Sequence, residues 1–295
     1  MTTEAAAPFH APQIRTDTWP PGGIYWGLQP ALLVFVYCAA TGLAGPIGTI
    51  GGLLIAFVVL SIVEEVWPAR RDWKQTARER VACIAMFALS VAAMSLWQWI
   101  YPALLHDAFA PTRAWFGPLW PSFLPMPLQV LAAFLALQFF AYWLHRGQHQ
   151  VGLLWRATGH GVHHTYTRLN AINWNANHPL EAVSLILPAA ILYSVFGVGQ
   201  AAEAAAALAI LSAACAHMNI RVNIRGIGLI FTANVHHVHH HSSDFRESNT
   251  NYGCASTLWD RVFGTFEHAD TASLGDLPRE PGLLRKLIMP IVGRG

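Results

Sequence analysis

Three short groups of histidines carry the chemistry open to this chain: His145-Arg-Gly-Gln-His149, His160-Gly-Val-His163-His164 and His237-Val-His-His240-His241. Twelve of the fifteen histidines fall between Tyr142 and His241, where His178, His217, His236 and His239 complete the set. On a helix, a separation of four puts two imidazoles on one face, and three plus four confines three of them to a narrow arc. Each group can therefore grip a metal ion. Imidazole nitrogen suits zinc, copper, nickel and iron, and eight or more such ligands exceed what one tetrahedral ion can use, so two ions are the economical reading. Without metal, the cluster would crowd groups that titrate near neutrality; metal binding requires the neutral ring and removes that conflict.

The elements that must position these rings are set by an apolar composition. Of 295 residues, 54% are hydrophobic and 12% charged, with a mean hydropathy of +0.36. A soluble globular protein carries about twice that charge. A net charge of +2 without a basic block gives no reason to expect nucleic acid. Cys38, Cys83, Cys215 and Cys254 are scattered and form no Cys-x-x-Cys pair, so neither a disulfide framework nor a zinc ribbon is indicated. Residues 1–29 lack the basic start and short apolar core of a cleaved signal peptide and read as a polar, membrane-proximal tail. Arginine outnumbers lysine sixteen to two, which points to a GC-rich bacterial genome.

Apolar runs at 30–43 and 47–63, with a Gly45-Pro46 turn between them, predict a helical hairpin. A segment at 69–80 with Arg70, Arg71, Lys74, Arg78 and Arg80 leads into a third run at 81–99, which ends in interfacial aromatics such as Trp97 and Trp99. Residues 103–127 form a proline-rich connection partly in the interface. The span at 128–144 runs straight into His145, and 180–198 with 202–216 form a second hairpin. The expected fold is all-α: an integral membrane bundle of about four to six membrane-embedded helices with a cytoplasmic, histidine-rich helical cap. If the 69–80 segment is cytoplasmic under the positive-inside rule, so is the N-terminus, and His145, His160, His178, His217 and His237 all fall on that same side. Hydropathy made no use of the histidines, so their arrival on one side independently supports a single site.

The third group has two registers, because His236-His-Val-His239-His240 also reads as His-x-x-His-His. Flanking residues carry a resemblance that chooses between them. Tyr142-Trp143-Leu144-His145-Arg146, Trp155 before the second group, Asn251-Tyr252-Gly253 after the third, and Trp259-Asp260-Arg261-Val262-Phe263-Gly264-Thr265 are similar to the fatty acid hydroxylase superfamily, also called the sterol desaturase family. Its members are integral membrane di-iron oxygenases. The likeness includes His178-Pro179-Leu180-Glu181, His217-Met-Asn219 and Glu65-Val-Trp-Pro68-Ala-Arg70, covers roughly 65–267, and its interval to Asn251 favours the His237, His240, His241 register. The chain is expected to divide into a tail at 1–29, membrane helices and connections at 30–127, a catalytic domain at 128–267 that the resemblance makes di-iron, and a C-terminal tail at 268–295.

The resemblance further implies about ten nitrogen ligands for two iron ions, with zinc as a possible substitute: His145, His149, His160, His163, His164, His178, His217, His237, His240 and His241. His178 has a rival role, since Asn177 or His178 can cap a helix that begins at Pro179 with Glu181 completing the cap. Gln138, Glu181, Asn219, His236, Asn251 and Asp260 are candidates for orienting the ligand rings. Gln138, Asn177 and Asn249 stand where many relatives carry aspartate, arginine and aspartate.

By resemblance, the chemistry is dioxygen-dependent hydroxylation or desaturation of a lipid or other hydrophobic substrate. Electrons would come from a ferredoxin or cytochrome b5-like donor, since no flavin, haem or iron-sulfur motif is present. Arg70, Arg71, Arg146 and Arg156 could receive it, although lipid head groups and topology explain the same arginines. The localisation implied is multi-pass in a bacterial inner membrane with the active site cytoplasmic. The rival from another class is a zinc-loaded membrane protein that hydrolyses, transports or stores metal. A hydrolase would need a visible base and fewer ligands, and a transporter would string histidines along a pore.

Overall fold

A computed structural model describes residues 19–42, 45–269, 271, 273–277 and 279–293; the expected tail up to residue 18 lies outside the described residues. Helices and turns make up the fold, with no strand among the described residues. Six helices are long and apolar enough to cross a membrane. They are α1 (Gly22–Gly42), α2 (Gly45–Val66), α3 (Ala77–Leu105), α5 (Met126–Gln150), α8 (Ala182–Phe196, extended back to Pro179 by one 3-10 turn) and α9 (Gln200–His217). A short α4 (Ala110–Phe116) lies between α3 and α5.

Most boundaries reach beyond the apolar runs because capping and aromatic residues extend a helix without raising its hydropathy. Helix α1 begins at Gly22 and runs through Pro30, not from it. Gly45-Pro46 opens α2 instead of forming the whole turn, in keeping with the tolerance of proline in a first helical turn. A capping box starts α3: Thr76 Oγ1 accepts from Glu79 N–H, and the Glu79 carboxylate accepts from Thr76 N–H at 2.8 Å. The 103–127 connection exposes Trp115, Leu119 and Phe123, as an interfacial segment would.

The alanine-rich helix α9 is the most enclosed of the six. Ala201, Ala204, Ala205, Ala207 and Ala214 are buried against α1, α2 and α5, where short side chains permit close approach. Close approach also explains Gly52, whose absent Cβ would stand 2.6 Å from the Ala39 Cβ across the α1–α2 contact.

One end of the bundle carries the histidine groups. The α2–α3 connection meets the end of α9 through Asn219, whose side chain accepts from Arg70 N–H and donates to Arg70 O, both at 2.8 Å. Glu64, deep in the last turn of α2, accepts from the backbone of Asn219 at 2.6 Å and of Ala171 at 3.1 Å, tying α2 to the loops that follow α7 and α9. At this end sit α6 (Gly152–Ala157), α7 (His160–His163), α10 (Asn234–His240), α11 (Phe245–Ser248), α12 (Leu258–Phe263) and α13 (Leu283–Val292). The last of these occupies what reads in the sequence as a tail.

Candidate metal centre

Nine of the ten histidines implied as ligands converge at this end in two adjoining groups. His145, His149, His160, His164 and His240 form one, and His163, His217, His237 and His241 the other; within each, one ring nitrogen per residue lies within 4.8 Å of the rest. All nine are buried, none more than 6% exposed. His145 and His149 come from the last turns of α5, His160 and His163 from α7, His217 from the end of α9, and His237 and His240 from α10. His164 and His241, one from each group, stack with centroids 4.5 Å apart, so the groups share a wall.

Proton bookkeeping tests whether metal fits. His145 Nδ1 lies 2.5 Å from Tyr252 O, His240 Nδ1 2.8 Å from Thr250 O, and His160 Nδ1 2.6 Å from Glu181 Oε1. Each of those acceptors needs the ring proton on Nδ1, so the three Nε2 atoms present bare lone pairs. They face one another: His145 Nε2 lies 2.9 Å from His160 Nε2 and 3.2 Å from His240 Nε2. In the second group His217 Nδ1 donates to Asn173 Oδ1 at 3.1 Å, and its Nε2 stands 2.8 Å from His237 Nε2. Lone pairs so placed repel unless a cation lies among them. Ligands about 2.1 Å from a metal and at right angles to each other are roughly 3 Å apart. Both groups therefore have the composition and spacing to hold a metal ion.

Burial enforces the same state. It is the main cause that pushes His163 down to about 3 and holds His164, His237, His240 and His241 well below the ordinary histidine value, with neighbouring imidazoles adding to the effect. The rings are neutral at physiological pH, the form a metal requires.

The tenth histidine stands apart. His178 Nδ1 accepts from Leu180 N–H at 3.2 Å, capping the 3-10 turn at Pro179, and its Nε2 donates to Leu287 O at 3.1 Å. Both nitrogens are engaged away from the two groups. His236 also lies outside them, against the rings of Phe266 and His268.

Of the residues considered for orienting ligands, Glu181 meets a ring directly. Asp260 acts through the backbone: it accepts from Tyr252 N–H and Gly253 N–H, both at 2.8 Å, and Tyr252 O is the acceptor for His145. Burial pushes Asp260 up to about 6. Asn251 holds the same turn from the other side, donating to His236 O and Glu267 O. Asn219 serves the α2–α3 connection and touches no ring of either group. Asn173 and the carbonyls of Tyr252 and Thr250 were missed in the sequence. A backbone carbonyl has no residue identity to read, whereas the run Asn170, Asn173, Asn175, Asn177 did mark a polar patch in an apolar chain.

Gly253 makes this turn possible. A Cβ there would stand 1.9 Å from Ser256 O and 2.7 Å from Asp260 Oδ2. Gly253→Ala is expected to cost upwards of ~3 kcal/mol by overpacking, read as a lower unfolding temperature together with reduced bound metal. An unchanged unfolding temperature would contradict the assignment of Gly253 to close packing.

Beside both groups lies a cavity of about 150 Å³. His145, His160, His163, His217 and His237 line one end, with Gln148, Asn175, Asn177, Glu181 and Ser184 also in the wall; Met94 of α3, Leu137, Ala141 and Leu144 of α5, Leu185 and Pro188 of α8, and Ala209, Ile210 and Ala213 of α9 form its apolar part. Gln138 adds an amide to this wall. A larger cleft of about 320 Å³ opens at the α2–α3 connection, but no histidine lines it and its ions pair with each other, Glu65 with Lys74 and Arg80.

A bundle of membrane-spanning length with buried, all-histidine groups at one end defines a class of multi-pass protein with the means to hold metal. The sequence model of the fatty acid hydroxylase family matches residues 130–265, which include all nine converging histidines. Over 253 residues the chain is 26% identical to the ornithine lipid hydroxylase OlsE of Rhizobium tropici, covering 82% of this chain and 75% of that protein. It is 29% identical to human alkylglycerol monooxygenase over 140 residues, and 30% identical to the Danio rerio protein over 139. These matches take in 46% and 45% of this chain but only 30% and 29% of the relatives' own lengths. No solved structure matches significantly. Residues 130–265 thus match the fatty acid hydroxylase family, and the relatives that the chain resembles are lipid hydroxylases and monooxygenases, which are oxidoreductases.

Proposed function

We propose that this protein is a membrane-bound di-iron hydroxylase of a polar lipid. One iron would be held by His145, His149, His160, His164 and His240, the other by His163, His217, His237 and His241. The observation that carries the proposal is the meeting of bare Nε2 atoms beside a cavity walled by spanning helices. Nitrogen-only ligation suits iron among other transition metals, and a group of five exceeds the usual tetrahedral zinc set. When bound, the iron pair supplies oxidation of an unactivated C–H bond at the expense of dioxygen and two external electrons.

The chain's own residues perform the remaining tasks. Leu137, Leu144, Leu185 and Ile210 offer an acyl chain an apolar slot reached from bilayer depth, so one carbon can be held at the histidine end. The same walls exclude bulk water. Glu181, Asn173 and the carbonyls of Tyr252 and Thr250 hold the imidazole tautomers that leave Nε2 free for metal. Relatives named for an ornithine lipid and for alkylglycerol support a polar lipid as the substrate class. The cationic α2–α3 connection lies at the same end as the histidines, which supports a cytoplasmic site and a cytoplasmic one-electron donor.

Protein purified in lipid and loaded anaerobically with ferrous iron is expected to hold about two ions per chain and, with a reductant and oxygen, to add one oxygen atom to a lipid from the host extract. Mass spectrometry of that extract with and without the protein reads the product. Hydrolysis of a lipid by the zinc-loaded form, with no oxygen-dependent product from the iron-loaded form, would refute the hydroxylase reading.

A further inference from the structure

Helix α13 is turned inside out for a helix in water. Lys286 points inward and is 4% exposed, bonded to Glu280 at 2.7 Å and seated 3.5 Å from the centre of the Tyr166 ring. The outward face carries Leu284, Ile288, Ile291 and Val292, and both Leu284 and Ile291 are 74% exposed. Their spacing of four, three and one makes a single apolar stripe. A helix that buries its ammonium and presents leucine and isoleucine outward does not face water.

The location of α13 says what it faces. Leu283, Leu287 and Met289 pack with Cys83, Met86 and Phe87 of α3, one to two turns beyond Arg80, the last charge before the apolar length of that span. The 29 residues of α3 reach ~44 Å against ~30 Å of hydrocarbon, so its charged first turns stand outside the core. The α13 helix is thus level with the membrane boundary. Its neighbour α6, which follows α5 directly, exposes Leu153 and Leu154. Arg156 of α6 donates to Pro290 O at 2.7 Å and to Ile291 O, locking the two helices together at the C-terminus of α13.

We propose that α13 and α6 form an interfacial ledge lying in the plane of the bilayer surface, with the stripe Leu284, Ile288, Ile291 and Val292 among the upper acyl chains. The partner is the lipid surface itself, and the ledge is a contact additional to the six spans. It is coupled to the metal-bearing cap, because α13 packs on α7 and Leu287 O holds His178.

Spin labels on full-length protein in bilayer nanodiscs test the ledge. Leu284→Cys and Ile291→Cys would be made in a Cys38→Ser background, which removes the exposed native thiol. Ile55→Cys on the outer face of α2 serves as the lipid reference and Arg246→Cys on the exposed cap as the water reference. At both α13 positions, collisions with oxygen are expected to exceed those with a water-soluble nickel chelate, as at Ile55, with nickel access several-fold below that at Arg246→Cys. Val292→Cys gives a third reading of the stripe should either variant fail to fold. A nickel-dominated profile would place the helix in water and overturn the proposal. Low access to both reagents would mean that protein, such as a second copy of the chain, covers the stripe, and would overturn it equally.

Discussion

Replacing His240 or His163 by alanine is expected to reduce oxygen-dependent product below detection while the protein still inserts in the membrane. The two residues are drawn from different groups, so the pair of variants tests both proposed ions. His240 Nε2 faces His145 Nε2 at 3.2 Å, and its Nδ1 is anchored on Thr250 O, so alanine removes a ring whose direction is already set. His163 sits with centroids 4.6 Å from His241 and 4.9 Å from His217. Its loss leaves a three-histidine group. Bound metal is expected to fall in each variant, most for the ion whose group has been cut. Much of the packing among the spanning helices, such as that of Val36, Ala56, Phe134 and Leu208, does not involve these rings, so membrane insertion should persist. Unchanged turnover in both variants would end the ligand assignment.

Glu181 offers the second large effect. Its carboxylate is buried and accepts from His160 Nδ1 at 2.6 Å. His160 Nε2 in turn lies 2.9, 3.1 and 3.2 Å from Nε2 of His145, His149 and His164. One carboxylate therefore sets the tautomer of the ring at the middle of the five-histidine group. Removing such a support lowers metal affinity ~10–100-fold, or ~1.4–2.7 kcal/mol. Glu181→Ala is expected to surrender one equivalent of metal to a chelator at a correspondingly lower concentration. Glu181→Gln keeps an oxygen acceptor at the same reach and should recover most of that affinity. Identical chelator curves for wild type and Glu181→Ala would remove the carboxylate from the account of the site. A loss in Glu181→Gln as deep as in Glu181→Ala would show that charge, and not the hydrogen bond, matters.

Much of this was legible along the chain because it rests on local periodicity. Six apolar lengths announce spans, and histidines at intervals of three and four announce metal. Other features escaped for physical reasons that can be named. Ten residues at 283–292, two of them basic, are too short and too charged to stand out as a membrane element; only packing shows that the charge is inside and the stripe outside. For His178 the sequence left ligand and cap both open; its ring caps the turn at Pro179 and reaches Leu287 O, a partner 109 residues away that no local pattern announces.

The amino-acid sequence by itself determined the chemistry and the faces: imidazoles spaced three and four residues apart must share a narrow arc of one helix face. Only the tertiary structure decided which rings meet. His160 and His164 join one group and His163 the other, whereas His237 and His241 join the second and His240 the first. The two His-x-x-His-His motifs are thus split between the two groups in opposite senses, while His145 and His149 stay together. No spacing rule can state that outcome, because it depends on how α5, α7, α9 and α10 cross at one end of the bundle, bringing His145 to His240 across 95 residues of chain. The acceptors that hold those rings in place, Tyr252 O and Thr250 O, are main-chain atoms common to every residue type, and folding alone selects them.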